Sequence, residues 1–180
     1  MIDYGIFLYA APPRTGSVWF TQAMKQLGFE GRMVGSRHEP FGDVDQTKPL
    51  VTMVRHPARW LASYFSGVKG ELTGLPLVDR FSSICVDVSF MKFANRYIEQ
   101  MPGAVGQLFS SYQASIVQRL EDQPWALSQL LMQLDVPRNK CKQIEHLPVS
   151  MPSSGIFYST DLRRRVLQAE SELADRYDYY

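Results

Sequence analysis

Residues 10–20, with the sequence Ala-Ala-Pro-Pro-Arg-Thr-Gly-Ser-Val-Trp-Phe, separate two apolar segments of different periodicity. The preceding residues 4–9 carry no charge and are rich in residues that favour strands, which predicts a buried strand. The following apolar residues recur at helical spacing as far as Gly28, a favourable residue for ending a helix. We therefore predict that residues 10–20 connect a strand to the first turn of a helix.

A turn of this kind suits an anion. It directs unpaired backbone N–H groups and the positive end of a helix dipole at one small volume, which favours a phosphate or a sulfate. Arg14 adds a positive charge, and Thr15 and Ser17 add hydroxyl donors. The G-x-x-x-x-G-K-[ST] pattern is absent, so this is not an ordinary ATP or GTP loop. The alternative interpretation is a strand-to-helix corner with an incidental arginine.

The composition sets limits on the class of protein. The length of 180 residues, 45% of them hydrophobic, predicts a single domain over residues 1–180. A formal charge of +1 gives no reason to expect nucleic acid as a partner. Cys85 and Cys141 have neither metal-ligand spacing nor a disulfide pattern. With no leader and no apolar run of about 20 residues, the expectation is a soluble, cytoplasmic protein that does not enter a membrane.

The rest of the chain alternates strand and helix patterns. Further strands are predicted at residues 32–34, 50–54 and 115–120, and helices at residues 58–68, 88–101, 124–134 and 160–177. Residues 69–83 are predicted to be irregular. This alternation predicts an α/β protein in which helices cover both faces of a central parallel sheet. Ligands of such sheets bind beyond the C-terminal ends of the strands. Because Arg14 and Arg55 each follow a predicted strand, we expect both to approach one ligand.

Four segments together resemble the sulfotransferase family. Residues 13–19 resemble its 5′-phosphosulfate loop, usually P-K-S-G-T-T-W, and Arg55 followed by Ser63 resembles its 3′-phosphate motif. Residues 38–41, His-Glu-Pro-Phe, lie where family members carry H-x-P or E-P-F. Residues 118–122 resemble the family's R-x-E-D-L segment. The four segments occur in the family's order and span most of the chain, which implies a three-layer, P-loop NTPase-like fold.

The resemblance implies a cofactor, 3′-phosphoadenosine 5′-phosphosulfate, and no metal. Arg14, the backbone N–H groups of residues 15–18 and the Ser17 hydroxyl would hold the phosphosulfate, while Arg55 and Ser63 would hold the 3′-phosphate. The residues implied in cofactor binding are Arg14, Thr15, Gly16, Ser17, Val18, Trp19, Arg55 and Ser63. Trp19 either stacks on the adenine or packs a helix against the sheet.

Sulfuryl transfer needs a base that removes the acceptor's proton. His38 matches the family's H-x-P histidine and titrates near neutral pH. Glu39 is the second candidate, because carbohydrate sulfotransferases often use a glutamate near this position. The alternative is that both belong to a polar loop whose carboxylate caps a helix or pairs with Arg37. The resemblance also gives Arg14 a catalytic role, the neutralisation of charge on the leaving phosphate.

Lesser roles follow for other polar residues. His56 is expected to orient the backbone after the second strand. The consecutive Arg163, Arg164 and Arg165 cannot all face one ligand on a helix, so a solvated face is the default interpretation. One of the three could reach the 3′-phosphate, because relatives supply basic residues there from their C-terminal region.

The chain also departs from the family pattern. Arg14 replaces the usual lysine, Val18 replaces a threonine, and the R-K-G-x-x-G-D-W segment of the cytosolic enzymes is missing. The predicted activity is transfer of a sulfuryl group to a hydroxyl or amine of a carbohydrate, polypeptide or small molecule. The short chain predicts an open cleft, which favours a glycan or a polypeptide tyrosine. The alternatives are a non-catalytic sulfonucleotide-binding module and a P-loop kinase of small molecules.

Overall fold

A computed structural model describes residues 1–36, 38–41, 47–67, 74–86, 88–149, 156 and 158–180. The protein has an α/β fold, and the chain divides into two compact units. The first unit comprises Met1–Arg55 and Tyr112–Met151, and the second comprises His56–Ser111 and Pro152–Tyr180. The expectation of a single domain stays a prediction.

The first unit contains a mixed sheet. The strands found among the described residues are β1 (Ile2–Asp3), β2 (Leu8–Tyr9), β3 (Arg32–Met33), β4 (Leu50–Val54) and β5 (Ile116–Arg119). Their order is β3-β1-β2-β4-β5. Strands β2, β4 and β5 are parallel, whereas β1 is antiparallel to β2 and to β3. The prediction of a parallel sheet is therefore right for β2, β4 and β5 and wrong for the pairings of β1.

A turn breaks the strand that was predicted over residues 4–9. Gly5 has a φ of +81°, and its N–H donates to Asp3 Oδ1 at 2.8 Å. The Tyr4 N–H donates to the Phe7 main-chain oxygen at 3.1 Å. These bonds reverse the chain, so that β1 and β2 pair as two short antiparallel strands. A conformation that glycine adopts easily thus overrides the strand propensity of its neighbours.

The helices among the described residues are α1 (Ser17–Gln26), α2 (Pro57–Gly67), α3 (Pro76–Cys85), α4 (Phe90–Gln100), α5 (Ala104–Ser110), α6 (Trp125–Gln133), α7 (Arg138–Cys141), α8 (Thr160–Ala169) and α9 (Ser171–Tyr177). Helices α1, α6 and α7 belong to the first unit, and the others belong to the second. None of the helices in the described part of the chain is long and apolar enough to cross a membrane.

The core of the first unit fixes α1 against the sheet. The ring of Tyr9 on β2 stacks on that of Phe20 on α1, with centroids 3.9 Å apart and an angle of 3° between the planes. Met53 on β4 and Leu131 on α6 lie in the same hydrophobic cluster. Because Tyr9 and Phe20 flank residues 10–19, this stacking holds the two ends of the predicted anion-binding turn in place.

The second unit has an aromatic core. The Trp60 ring stacks on Tyr64 at 5.0 Å and meets Phe81 edge to face at 4.9 Å. The buried Tyr64 hydroxyl donates to the Val78 main-chain oxygen at 2.9 Å. These contacts join α2 to α3, a helix that starts in the segment predicted to be irregular. Pro76 occupies the first position of α3, where proline favours a helix start, so that part of the prediction was wrong.

The C-terminal helix predicted over residues 160–177 is divided at Glu170. This side chain is 2% exposed and accepts hydrogen bonds from the main-chain N–H groups of Val105 and Gly106, at 3.1 and 2.8 Å. The Tyr97 hydroxyl also donates to it. The buried carboxylate thus lies at the N-terminus of α5, a short helix that the sequence analysis missed behind Pro102 and Gly103. The interaction accompanies the break between α8 and α9.

Candidate anion-binding site

The loop of residues 10–16 joins β2 to α1 and has two residues with left-handed backbone angles. Arg14 has a φ of +67° and Gly16 a φ of +93°. Gly16 is the N-cap of α1 and provides no side-chain cap, and the first helical bond runs from Phe20 N to Gly16 O at 3.0 Å. The N–H groups of the first helical turn have no acceptor within a helix. The loop therefore has the backbone geometry of an anion-binding concavity.

Side chains hold four main-chain oxygens of this loop. The four bonds run from Thr52 Oγ1 to Ala10 O (2.8 Å), from His38 Nδ1 to Ala11 O (2.8 Å), from Thr15 Oγ1 to Pro12 O (2.7 Å) and from Arg55 Nη1 to Arg14 O (3.2 Å). Each bond fixes one peptide plane of the loop. The sequence offered no signal for this arrangement, because three of the four donors lie 27 or more residues beyond the oxygen that they bind.

His38 and Arg55, two residues predicted from separate motifs, therefore meet the same loop. Arg55 directly follows β4 and is 7% exposed. The Arg55 guanidinium donates to the Arg14 main-chain oxygen, whereas the approach of both arginines to one ligand stays a prediction. Ser63, the other residue of the predicted 3′-phosphate motif, lies on α2 in the second unit and is buried.

The hydrogen bond of His38 defines the state of its ring. A carbonyl oxygen can only accept, so the proton of the neutral imidazole lies on Nδ1 and Nε2 keeps a lone pair. The main-chain oxygen of His38 accepts a bond from the Tyr112 hydroxyl at 2.5 Å. His38 as a whole is half-buried.

Glu39 is engaged in its own turn. Its side chain is exposed, and Oε2 accepts a hydrogen bond from the Ser36 N–H at 3.1 Å. The Glu39 N–H donates in turn to the Ser36 main-chain oxygen at 3.3 Å. This geometry favours a polar-loop role for Glu39 over a catalytic one. The alternative pairing with Arg37 lies outside the described residues.

Two of the expected nucleotide contacts change on the structural evidence. Thr15 is fully buried, and its hydroxyl donates to Pro12 O, so this hydroxyl is engaged within the loop and does not point a donor at an anion as expected. Trp19 is 7% exposed and belongs to the hydrophobic core, which favours packing over stacking on adenine. Val18 is 59% exposed and Ser17 is buried at the start of α1, so both offer N–H groups of the first turn.

Two features of the loop favour glycine at position 16. The Gly16 φ of +93° is strained for any residue with a side chain. In addition, a Cβ atom at this position would lie 2.5 Å from Leu120 Cδ1. Leu120 begins the turn after β5, in the segment that resembles R-x-E-D-L, where Arg119 binds Asp122 with two bonds of 2.6 and 2.8 Å. The loop therefore packs directly on the third parallel strand's C-terminal end.

In the second unit, His56 contacts the backbone of α2 and the side chain of Arg163. The Ala58 N–H lies 3.2 Å from His56 Nδ1, as expected for a residue that orients the backbone. His56 Nε2 lies 3.3 Å from Arg163 Nη2, and the tautomer of the ring decides which of the two atoms donates. Arg164 instead pairs with the exposed Asp161 at 2.8 Å.

Comparison with known proteins adds no relative: no family model, curated protein or solved structure matches the chain. The fold and the geometry of the site are thus the basis for a functional conclusion. Among the described residues, no three histidine, cysteine, aspartate or glutamate side chains are grouped as metal ligands would be.

Proposed function

We propose that this protein is a sulfotransferase that uses 3′-phosphoadenosine 5′-phosphosulfate to sulfate a hydroxyl or amine. One observation carries the proposal: His38 and Arg55 bind the main-chain oxygens of Ala11 and Arg14, within one loop between β2 and α1. This loop follows the C-terminal end of a parallel strand, where α/β sheets bind their ligands. The loop that would bind the nucleotide, a cation and the candidate base thus lie together.

The same observations support the finer fold proposal of a three-layer, P-loop NTPase-like domain. Parallel strands β2, β4 and β5 lie side by side, and the loop before α1 has two left-handed residues. In this proposal the protein is cytoplasmic and acts without nucleic acid or membrane as a partner.

The residues present fit an anionic donor. The N–H groups of the first turn of α1 and the Arg14 guanidinium would hold the phosphosulfate and neutralise the charge that develops on its phosphate. Arg55 and Ser63 would hold the 3′-phosphate, as the resemblance implies.

The bond to Ala11 favours the tautomer of the neutral His38 ring that base catalysis requires. The Ala11 carbonyl keeps the proton on Nδ1, so Nε2 can accept the proton of an attacking hydroxyl. The donor supplies an activated sulfuryl group. Arg14 and the loop N–H groups stabilise the nucleotide phosphate as its bond to sulfur breaks and the acceptor oxygen's bond to sulfur forms. No metal is required in this scheme.

The experiment is a transfer assay with a donor that carries radiolabelled sulfate. The purified protein is incubated with an aryl alcohol, a monosaccharide, a tyrosine peptide and an alkyl amine, and label in each acceptor is counted. Transfer that His38→Ala abolishes supports the proposal. Binding of the nucleotide without transfer would instead indicate a binding module. Phosphate transfer from ATP with Mg²⁺ would indicate a kinase.

A further inference from the structure

Tyr112 is a buried residue that none of the motifs includes. Its side chain is fully buried, and its hydroxyl donates to the main-chain oxygen of His38 at 2.5 Å. The two residues are 74 positions apart in the sequence, and both belong to the first unit. A buried tyrosine hydroxyl needs a hydrogen-bond partner, and here that partner is the peptide group of the candidate base.

His38 is consequently held at two points. Tyr112 fixes its main-chain oxygen, and Ala11 fixes its ring through Nδ1 at 2.8 Å. The first bond locates the peptide group, and the second sets the ring orientation and its tautomer. The ring can reach the Ala11 oxygen only while the His38 backbone stays where Tyr112 holds it.

We propose that Tyr112 is a positioning residue for His38: its hydroxyl holds the His38 backbone so that the imidazole bonds Ala11 and presents an unprotonated Nε2. The catalytic meaning of this role rests on the proposed function, whereas the effect on the ring does not. Burial raises the pKa of the Tyr112 hydroxyl above its ordinary value of 10, so the group stays a donor at neutral pH.

Tyr112→Phe is the direct test, because it deletes the hydroxyl and keeps the buried ring. Tyr64→Phe is the matched control. Tyr64 is equally buried and also donates to a main-chain oxygen, that of Val78, but in the second unit. Both variants lose a bond from a hydroxyl to a main-chain oxygen, and Tyr64→Phe also loses the contact of 2.6 Å with Ser82 Oγ. An effect seen only in Tyr112→Phe therefore reports on His38 and not on a general loss of stability.

The first readout is the tautomer of His38, measured by nitrogen NMR on histidine-labelled protein above the ring's pKa. The chain has three histidines, and His38→Gln identifies the signals of interest. We expect the Nδ1–H form to predominate in the wild type. In Tyr112→Phe the ratio of Nδ1–H to Nε2–H should fall about three- to tenfold, the range for one ordinary hydrogen bond. Tyr64→Phe should keep the wild-type ratio.

An Nε2–H tautomer in the wild type would overturn the proposal without any variant. An unchanged ratio in Tyr112→Phe, or an equal fall in Tyr64→Phe, would also overturn it. The second readout is the transfer assay, in which Tyr112→Phe should lower kcat by up to about 10²-fold and leave the donor KM unchanged. Absence of turnover in the wild type would refute the proposed function, while the tautomer ratio would still decide the role of Tyr112.

Discussion

The imidazole Nδ1 of His38 donates a hydrogen bond to the main-chain oxygen of Ala11, at a distance of 2.8 Å. The two residues are 27 positions apart, and the bond attaches the candidate base directly to the loop that we propose as the donor site. It also leaves the Nε2 lone pair for an acceptor's proton. Base and donor loop are therefore held in fixed relation before either substrate binds.

Replacing His38 should abolish transfer and spare nucleotide binding. We expect His38→Ala to lower kcat by about 10²–10⁴-fold, the usual effect of removing a positioned base. The nucleotide Kd should change far less than kcat, because the base acts on the acceptor and the loop loses only the bond from the ring to the Ala11 oxygen. Steady-state kinetics and calorimetry give the two values. Glu39→Gln is the control, since Glu39 bonds its own turn through Ser36, and it should stay active. An inactive Glu39→Gln beside an active His38→Ala would assign the base to Glu39.

Replacing Arg55 tests recognition of the 3′-phosphate. Arg55→Ala should weaken binding of adenosine 3′,5′-bisphosphate by about 10- to 100-fold, since charge-assisted bonds contribute about 1.5–3 kcal/mol. Binding of adenosine 5′-monophosphate should fall less, through loss of the bond to the Arg14 oxygen alone. Arg59→Ala, at an exposed position of α2, is the control. Equal losses for both nucleotides would leave Arg55 with only the role of holding the loop.

A substitution at Gly16 should destabilise the protein through two separate effects. Gly16→Ala meets a left-handed backbone, which costs about 1–2 kcal/mol, and a contact of 2.5 Å with Leu120, and overpacking of this kind costs about 1–3 kcal/mol more. Gly28→Ala is the control, because Gly28 has a φ of +73° and open space around its Cβ position. Urea denaturation should show the larger loss for Gly16→Ala. Equal losses would mean that Leu120 does not pack on the loop.

Protein stability should fall as the pH rises through the titration of Glu170. Burial raises the pKa of this carboxyl to about 7 from an ordinary value of 4.5, although hydrogen bonds from the α5 N–H groups lower it. A raised carboxyl pKa means that the folded state binds the proton more tightly than the unfolded state. The resulting stability, about 3 kcal/mol, is fully present below pH 4.5 and is lost as the pH approaches 7.

Urea denaturation between pH 4.5 and 8 measures this dependence. The free energy of unfolding of Glu170→Gln should decrease much less than that of the wild type between pH 4.5 and 7, because glutamine has no proton to release. This holds whatever the absolute stability of the variant. Glu172→Gln removes a nearby exposed carboxylate and should keep most of the decrease in stability seen in the wild type. If the stability of the wild type and of Glu170→Gln depended on pH in the same way, the pH dependence could not be assigned to Glu170.

Sequence patterns predicted much of the fold where neighbouring residues determine the secondary structure. Strand β4 has the predicted bounds, and α1 ends before Gly28 as capping rules require. The same rules failed where a distant partner decides. The break between α8 and α9, for example, accompanies burial of Glu170 against α5. Such contacts join residues that no local periodicity relates.

The sequence also predicted only part of the candidate site. The loop, Arg14 and Arg55 follow from strand-to-helix spacing, and the structure connects the two arginines through a main-chain bond. The inward orientation of Thr15 and Trp19 was not predictable, because it depends on which face of the loop packs on the core. Tyr112 was missed because a lone buried tyrosine resembles any core residue in the sequence.

The central claim is that the loop before α1 binds a 3′-phosphorylated sulfonucleotide, and isothermal titration calorimetry of the wild-type protein tests it most directly. Adenosine 3′,5′-bisphosphate, the product of the proposed donor, and ATP with Mg²⁺ are titrated under identical conditions. We expect the bisphosphate to bind at least about tenfold more tightly, because a charge-assisted contact with the 3′-phosphate is worth 1.4 kcal/mol or more. Tighter binding of ATP with Mg²⁺, or no heat with the bisphosphate, would contradict the account.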